Sequence, residues 1–210
     1  MLPAYLSVLF NKTIFINRRS PFYGDFFYRS ITNKFALQFF NLITILDKQQ
    51  LRLTILRLSN QLMENYLHLN ELVFIGLQPR GVQLSKMMVD NIQQLYPGEK
   101  VAYGILDITF YRDDIRQELR VANKTEIPFS IEGKKVILID DVLYTGRTIR
   151  AALDALQDFG RPKKVELCVL VNRRFERELP IQPDHCGKVI DSRRGEKVSV
   201  DRERGEVVVY

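Results

Sequence analysis

The strongest constraint on the fold is an alternation of buried-strand and helix patterns along most of the chain. Three apolar runs are separated by segments of helical periodicity, and they read ELVFIG (71–76), KVILI (135–139) and KVELCVLV (164–171). Runs that are apolar on both faces are typical of parallel strands covered by helices and joined by right-handed crossovers. The sequence therefore predicts an α/β fold with a mainly parallel sheet.

Helical patterns fill the gaps between these runs. Asp47 can N-cap a helix that runs to about Leu67, because leucine and isoleucine recur there in steps of three and four. Gly81–Tyr96 and Thr145–Phe159 predict two more helices. At the C-terminal end, two β-rich segments flank residues 201–205 and predict a hairpin.

The first 45 residues differ from the rest of the chain. They carry five basic residues and one acidic residue, and their apolar residues follow no sustained period. The longest apolar stretch is interrupted by polar side chains and is too short to span a bilayer. We expect residues 1–45 to be a poorly ordered leader, of the non-native kind that translation from an upstream start adds, followed by one domain over residues 46–210.

Composition excludes several classes of protein. The chain has two cysteines and two histidines among 210 residues, which excludes a disulfide framework and a histidine-rich metal site. This fits a reducing cytosol, so we expect a cytoplasmic protein without a membrane span. A magnesium site stays open, because it needs only carboxylates and substrate oxygens. The predicted domain has 26 basic and 24 acidic residues, so its overall charge is weak evidence for nucleic-acid binding.

The most informative segment, residues 136–148, reads VILIDDVLYTGRT. An apolar strand ends at Asp140 and Asp141, and a short loop containing Gly146 then leads into a helix. Ligands of open α/β sheets bind outside the carboxyl ends of the strands, and a helix start presents N–H groups that bind phosphate. Gly146 lets the backbone approach an anion closely, and the threonines beside it carry hydroxyl donors.

The two acids need a partner other than phosphate, because a carboxylate repels an anion. Asp140 and Asp141 suit vicinal hydroxyls or a hydrated Mg²⁺, and they can stabilise positive charge that develops on a sugar. A ligand with a phosphate at one end and a diol close by is a ribose 5-phosphate. The alternative is that the acids are a solvated strand end and Thr145 merely caps a helix.

This segment resembles the phosphoribosyl-pyrophosphate motif of type I phosphoribosyltransferases. Further segments are similar to the PyrR family, namely DITFYRDD (107–114), VLYTGRT (142–148), GRP (160–162) and RELPI (177–181). The resemblance covers residues 45–210. It implies the type I phosphoribosyltransferase fold, with a mainly parallel sheet, flanking helices, a hood segment after Val171 and a C-terminal hairpin.

The resemblance also implies an activity and a set of site residues. The family transfers a ribosyl phosphate from phosphoribosyl pyrophosphate (PRPP) to uracil, giving UMP and pyrophosphate, with Mg²⁺ on the donor. Asp140 and Asp141 would be the catalytic acids and would meet the Mg²⁺ through substrate and water. The implied PRPP-binding residues are Asp140, Asp141, Val142, Leu143, Tyr144, Thr145, Gly146, Arg147 and Thr148.

Two further groups of residues follow from the same resemblance. Residues 76–81 read GLQPRG between a strand and a helix, like the pyrophosphate loop of the family. The implied pyrophosphate-binding residues are Pro79, Arg80, Gly81 and, from the charged loop 111–126, Arg112. The implied base-binding residues are Asn172, Arg173 and Val198.

The hood departs from the family pattern. The family usually reads VDRGHRELP, and this chain reads VNRRFERELP, with Asn172 in place of the acid and one extra residue. This departure bears on base specificity and argues against conventional RNA recognition. Two alternatives stand beside the uracil enzyme: an RNA-binding regulator with little catalysis, and a purine phosphoribosyltransferase. The family also implies binding of pyrimidine-operon mRNA and assembly as a homodimer or larger homo-oligomer.

Overall fold

The computed structural model describes residues 42–66, 69–113, 123–193, 195–201 and 203–210. Residues 1–41, which make up most of the predicted leader, lie outside this part of the chain. The residues that follow form strand β1 (Ile43–Leu46), and Asp47 then caps helix α1 (Lys48–Glu64). The Asp47 carboxylate accepts a hydrogen bond from the backbone N–H of Gln50 at 2.8 Å, which satisfies one of the free donors at the helix start.

A five-stranded parallel sheet forms the centre of the described structure. Its strand order is β3-β2-β4-β5-β6, and every neighbouring pair runs parallel, as predicted. The strands are β2 (Leu72–Leu77), β3 (Ala102–Leu106), β4 (Lys135–Leu143), β5 (Lys164–Arg173) and β6 (His185–Ile190). Strand β4 lies in the middle, and its last residues form the edge of the candidate site.

The sheet is covered by helices on both faces. Alternate residues of β2 show this, since Phe74 packs with α1 and α2 (Gly81–Leu95), whereas Ile75 packs with α3 (Arg147–Leu156) on the opposite face. Both side chains are fully buried. This two-sided burial is the reason that the central strands read as continuous apolar runs rather than as an alternating pattern.

A second, smaller sheet lies on the same face as α1 and α2. It is antiparallel, with strand order β1-β8-β7, and β7 (Val198–Asp201) and β8 (Glu206–Val209) form the predicted C-terminal hairpin. Its apolar side chains join the core that α1 and α2 form with the parallel sheet. The hairpin therefore places residues just before β7 close to the carboxyl ends of β4 and β5.

The structure extends or adds three elements relative to the sequence prediction. Strand β4 continues past Ile139 through both acids to Leu143, and β1 and β6 were not predicted as strands. No helix in the described ranges is long and apolar enough to cross a membrane.

Candidate active site

The two acids at the end of β4 face two different cavities. Successive side chains of a strand point to opposite faces, so Asp140 and Asp141 diverge even though both are buried. Asp140 lines a cavity of about 410 Å³, which we call the central cavity. Asp141 lines a neighbouring cavity of about 400 Å³ between α1, α2 and β7, and Arg80 lines both cavities.

The Asp140 carboxyl lies in an electrostatically unfavourable position. Burial, and next the charge of Asp141, raise the pKa of Asp140 well above its ordinary value, although the backbone N–H of Asp141 and the Arg80 guanidinium act in the opposite direction. The N–H of Asp141 donates to the Asp140 carboxylate at 2.9 Å. A cation or a developing positive charge beside Asp140 in the central cavity would favour the ionised form of this carboxyl.

The turn between β4 and α3 has the shape that its sequence predicts. Gly146 is the N-cap of α3 and adopts φ +93° and ψ −6°, a left-handed conformation that costs other residues about 1–2 kcal/mol. A Cβ at this position would lie 3.3 Å from the Leu179 Cβ. The carbonyl of Thr145 accepts hydrogen bonds from the N–H groups of Glu178 and Leu179, so the hood holds this turn in place.

Most of the predicted PRPP-binding residues lie around the central cavity. Thr145 and Thr148 line it with their side chains half-buried, next to the start of α3. The free N–H groups and the positive dipole end of this helix favour an anion there. The predicted residues that line the cavity are Arg80, Arg112, Asp140, Val142, Leu143, Tyr144, Thr145, Gly146, Thr148, Arg173 and Val198.

The predicted pyrophosphate loop packs directly on the end of β4. A Cβ on Gly81 would lie 2.4 Å from the carbonyl oxygen of Ile139 and 3.1 Å from the Cα of Asp140. This close approach requires glycine and fixes the start of α2 beside the buried acids. Arg80 is the N-cap residue of α2, and both Arg80 and Pro79 are exposed.

The loop that follows β3 is anchored at both described ends by Asp107. Its carboxylate accepts from the N–H and hydroxyl of Thr109 at 3.1 and 2.7 Å, and from the N–H of Asn123 at 2.6 Å. Beyond Thr109, Arg112 donates to the hydroxyl of Thr148 at 3.2 Å. Arg112 is thereby placed at the central cavity, while residues 114–122 of this loop lie outside the described residues.

The side chain of Arg147 is engaged away from the central cavity. Its Nε donates to Glu178 at 2.6 Å and its Nη1 lies 3.3 Å from Asp113, which also pairs with Arg150 at 2.8 Å. Arg147 therefore connects the loop after β3 with the hood. The motif predicts that Arg147 belongs to the phosphate-binding set. In the structure the backbone of Arg147 lies at the turn, whereas its side chain contacts Asp113 and Glu178.

Arg173 lines the central cavity and stacks on Tyr144. It is buried, its Nε donates to the Ser192 hydroxyl at 2.6 Å, and its guanidinium stacks on the Tyr144 ring at 3.7 Å from the ring centroid. Its Nη2 atom is buried and has no hydrogen-bond partner within the described part of the chain. A buried donor of this kind is costly unless a ligand satisfies it. Val198, at the start of β7, lines the cavity nearby.

Asn172 is placed differently from the other predicted base-binding residues. Its side-chain oxygen accepts a hydrogen bond from Arg177 at 2.6 Å, and within the described residues it is not part of the cavity lining. Sequence reasoning missed Arg177, Ser192 and Asp107 as supports of the site. Asp107 had a signal, because it directly follows a strand and so lies at the ligand-binding edge of a parallel sheet.

The described residues fit a magnesium ion that is held mainly by a substrate. No group of three or more His, Cys, Asp or Glu side chains in the described ranges could hold a metal ion without other ligands. Mg²⁺ usually keeps several waters and binds one or two carboxylates together with substrate phosphates. Asp140, a buried carboxyl that lines the central cavity, offers one ligand of this kind.

Comparison with known proteins gives the fold and the family. The phosphoribosyl transferase domain family matches residues 43–201. A hypoxanthine-guanine phosphoribosyltransferase from Bacillus anthracis superposes with a TM-score of 0.62 at 18% identity, covering 81% of this chain and 99% of that chain. A Trypanosoma cruzi hypoxanthine phosphoribosyl transferase gives 0.63 at 18% identity, covering 80% and 90%. The fold and the domain match together define a type I phosphoribosyltransferase.

Sequence relatives give the family within this class. The bifunctional protein PyrR of Picosynechococcus is 48% identical over 161 residues, covering 76% of this chain and 90% of that protein. The bifunctional protein PyrR of Caldicellulosiruptor bescii is 46% identical over 158 residues, covering 74% and 86%. The chain belongs to the PyrR family, which confirms the resemblance seen in its motifs.

Proposed function

We propose that this protein is a uracil phosphoribosyltransferase that converts uracil and PRPP to UMP and pyrophosphate. The reaction breaks the bond from C1 of the ribose to the pyrophosphate oxygen. It forms a bond from C1 to N1 of uracil, and N1 loses its proton. The observation that carries the proposal is the glycine turn at Gly146, which shares one cavity with a buried acid and with an unsatisfied arginine donor.

The turn would bind the 5-phosphate of the donor. The backbone N–H groups at the start of α3 and the hydroxyls of Thr145 and Thr148 offer donors on one side of the central cavity. Arg80 and Arg112 line the same cavity and would bind the pyrophosphate, with Pro79 and Gly81 shaping the loop that carries Arg80. The positive charge of these arginines complements the negative charge of the donor's phosphates.

Asp140 would face the ribose in the central cavity, and Asp141, which lines the neighbouring cavity, would act through its charge. As C1 loses pyrophosphate, positive charge develops on the sugar, and a buried carboxylate stabilises that charge more strongly than water does. Asp140 would also hold Mg²⁺ through water and donor oxygens in the central cavity. When bound, this ion neutralises charge on the leaving pyrophosphate.

The base would lie at the Arg173 end of the cavity. The buried Nη2 of Arg173 needs an acceptor, and a uracil carbonyl oxygen supplies one. Val198 starts β7 beside it and can offer backbone groups to the edge of the base. Satisfying this donor would make binding favour bases with a correctly placed carbonyl over bases without one.

A radiolabelled-uracil assay with PRPP and Mg²⁺ tests the proposal. We expect UMP to form, and we expect D140N to lower kcat/KM by about 100-fold because it removes charge at the reacting sugar. The matched control is D154N, an exposed acid on α3, which should stay within twofold of the unmodified protein. If no UMP forms from uracil, and hypoxanthine or guanine is converted to its nucleotide instead, the purine alternative is established.

A second role, regulation of pyrimidine-operon mRNA, follows from membership of a family whose members are called bifunctional. Several basic residues that could contact RNA have partners within the protein. Arg57 donates to the Gly187 carbonyl, Lys164 pairs with Glu166 at 2.6 Å, and Arg174 pairs with Asp191. We propose RNA binding as the weaker of the two functions. Filter binding of pyrimidine-operon mRNA in the presence of UMP, at two salt concentrations, distinguishes specific from general association.

Cytoplasmic location, a homo-oligomeric assembly and a separate leader stay predictions. Size-exclusion chromatography with light scattering, at several protein concentrations, checks the assembly state. A mass above 24.6 kDa per particle supports a homo-oligomer.

A further inference from the structure

The hood contains two arginines with opposite surroundings. Arg174 is exposed and pairs with the Asp191 carboxylate through two of its nitrogens. Arg177, three residues later, is half-buried and points its guanidinium into the protein. The two side chains have the same chemistry, so their different contacts indicate different tasks.

Arg177 joins the ends of two neighbouring strands. Its Nη1 donates to the carbonyl oxygen of Tyr144, which follows β4. Its Nη2 donates to the side-chain oxygen of Asn172 at 2.6 Å and to the carbonyl oxygen of Arg173 at 3.2 Å, both at the end of β5. One planar group therefore fixes three residues through three oxygens, a geometry that lysine cannot reproduce fully.

The residues that Arg177 fixes are the two partners of the stack at the base end of the cavity. The Arg173 guanidinium lies 3.7 Å from the centroid of the Tyr144 ring, and both residues line the central cavity. A stack between two loop or strand ends keeps its position only when the backbones on both sides are held. The hydrogen bonds of Arg177 reach the backbone carbonyl of each partner.

We propose that Arg177 is a positioning residue for the base subsite, which it forms by holding Tyr144 against Arg173. Asn172 serves as a hydrogen-bond acceptor for Arg177 and acts on the base through it, rather than by direct contact. This assignment differs from the sequence prediction that Asn172 binds the base. It rests on the proposed uracil phosphoribosyltransferase function.

Steady-state kinetics of R177M, R177K and the control R174M test the proposal. R177M keeps the length and apolar body of the side chain but removes all donors. We expect the KM for uracil to rise about 10-fold, while the KM for PRPP changes less than twofold, because the N–H groups of Glu178 and Leu179 still hold the Thr145 carbonyl in the phosphate-binding turn. R177K should recover part of the loss, and R174M should match the unmodified protein.

A second variant, N172D, separates the two roles of Asn172. An aspartate still accepts from Arg177 but has no amide donor for a base. We expect N172D to keep the KM for uracil within about threefold. If the amide N–H of Asn172 donated directly to the base, N172D would raise this KM strongly.

Calorimetric titration with UMP gives a readout independent of turnover. R177M should weaken UMP binding about 10-fold. Its thermal unfolding midpoint should stay within a few degrees of that of the unmodified protein. If R177M does not fold, R177K is measured in its place. If R177M has the same KM for uracil and the same affinity for UMP as the control R174M, the inference is overturned. An unmodified protein that makes no UMP overturns the proposed function itself.

Discussion

Glu166 lies at the end of the sheet opposite the site and offers a test of the fold through pH. Burial alone would raise the pKa of this carboxyl, but hydrogen bonds from Lys164, Tyr66 and His185 outweigh burial and lower its pKa from 4.5 to about 2. Lys164 and His185 lie 2.6 and 3.0 Å from its two oxygens. A carboxyl with a lowered pKa in the folded state stabilises the protein above its unfolded pKa and loses that contribution as pH falls.

The magnitude follows from the two pKa values. At about 1.4 kcal/mol per unit, the shift from 4.5 to about 2 corresponds to roughly 3 kcal/mol of stability at neutral pH. Linkage places about 2 kcal/mol of this loss between pH 6 and pH 3, and the remainder at lower pH. Because Lys164 is more than half exposed, solvent screening makes this value an upper bound.

Urea unfolding of the unmodified protein and E166Q between pH 6 and pH 3 measures this contribution. Glutamine does not ionise, so E166Q should lack this part of the pH dependence. We expect the difference in unfolding free energy between the two proteins to shrink by up to about 2 kcal/mol across this range. Parallel pH profiles would refute the reasoning, because they would show that Glu166 titrates alike in the folded and unfolded chains.

Three further predictions concern the site. G146A should raise the KM for PRPP and lower stability by about 1–2 kcal/mol. Gly133 also has a positive φ (+66°) but has open space around it, so the control G133A should lower stability by a similar amount and leave this KM unchanged. D107A should lower kcat/KM in the uracil assay, because the N–H groups of Thr109 and Asn123 lose their common acceptor. T148V should weaken PRPP binding by about 1 kcal/mol in calorimetric titration, through loss of one hydroxyl donor.

Local pattern was sufficient to predict the interior of the fold. Strands β2, β4 and β5 were predicted because burial on both faces leaves a continuous apolar run in the sequence. The capping residue Asp47 and the C-terminal hairpin were likewise local features. The glycine turn at Gly146 could be read in the same way, since a positive φ restricts the residue type directly.

The parts that were missed depend on distant partners. Strand β1 pairs with β8 across most of the chain, and β6 is an edge strand with exposed residues, so neither has a strong local signature. Strand β4 continues through two acids because its neighbour β5 extends alongside it to Asn172.

Side-chain pairing at the site was equally hidden in the sequence. The contacts of Arg147 with Asp113 and Glu178 join residues 31 to 34 positions apart. The hydrogen bond from Arg177 to the Tyr144 carbonyl likewise joins residues 33 positions apart. A motif gives the residue type at such positions, but only the folded chain decides whether an arginine meets a ligand or a neighbouring side chain.

A crystal structure with UMP tests the central claim most directly. We predict that the phosphate lies against the backbone between Thr145 and Thr148, that the ribose hydroxyls face Asp140, and that a base carbonyl accepts from Arg173 Nη2. UMP bound with its phosphate away from the Gly146 turn, or with its base away from Arg173, would contradict it.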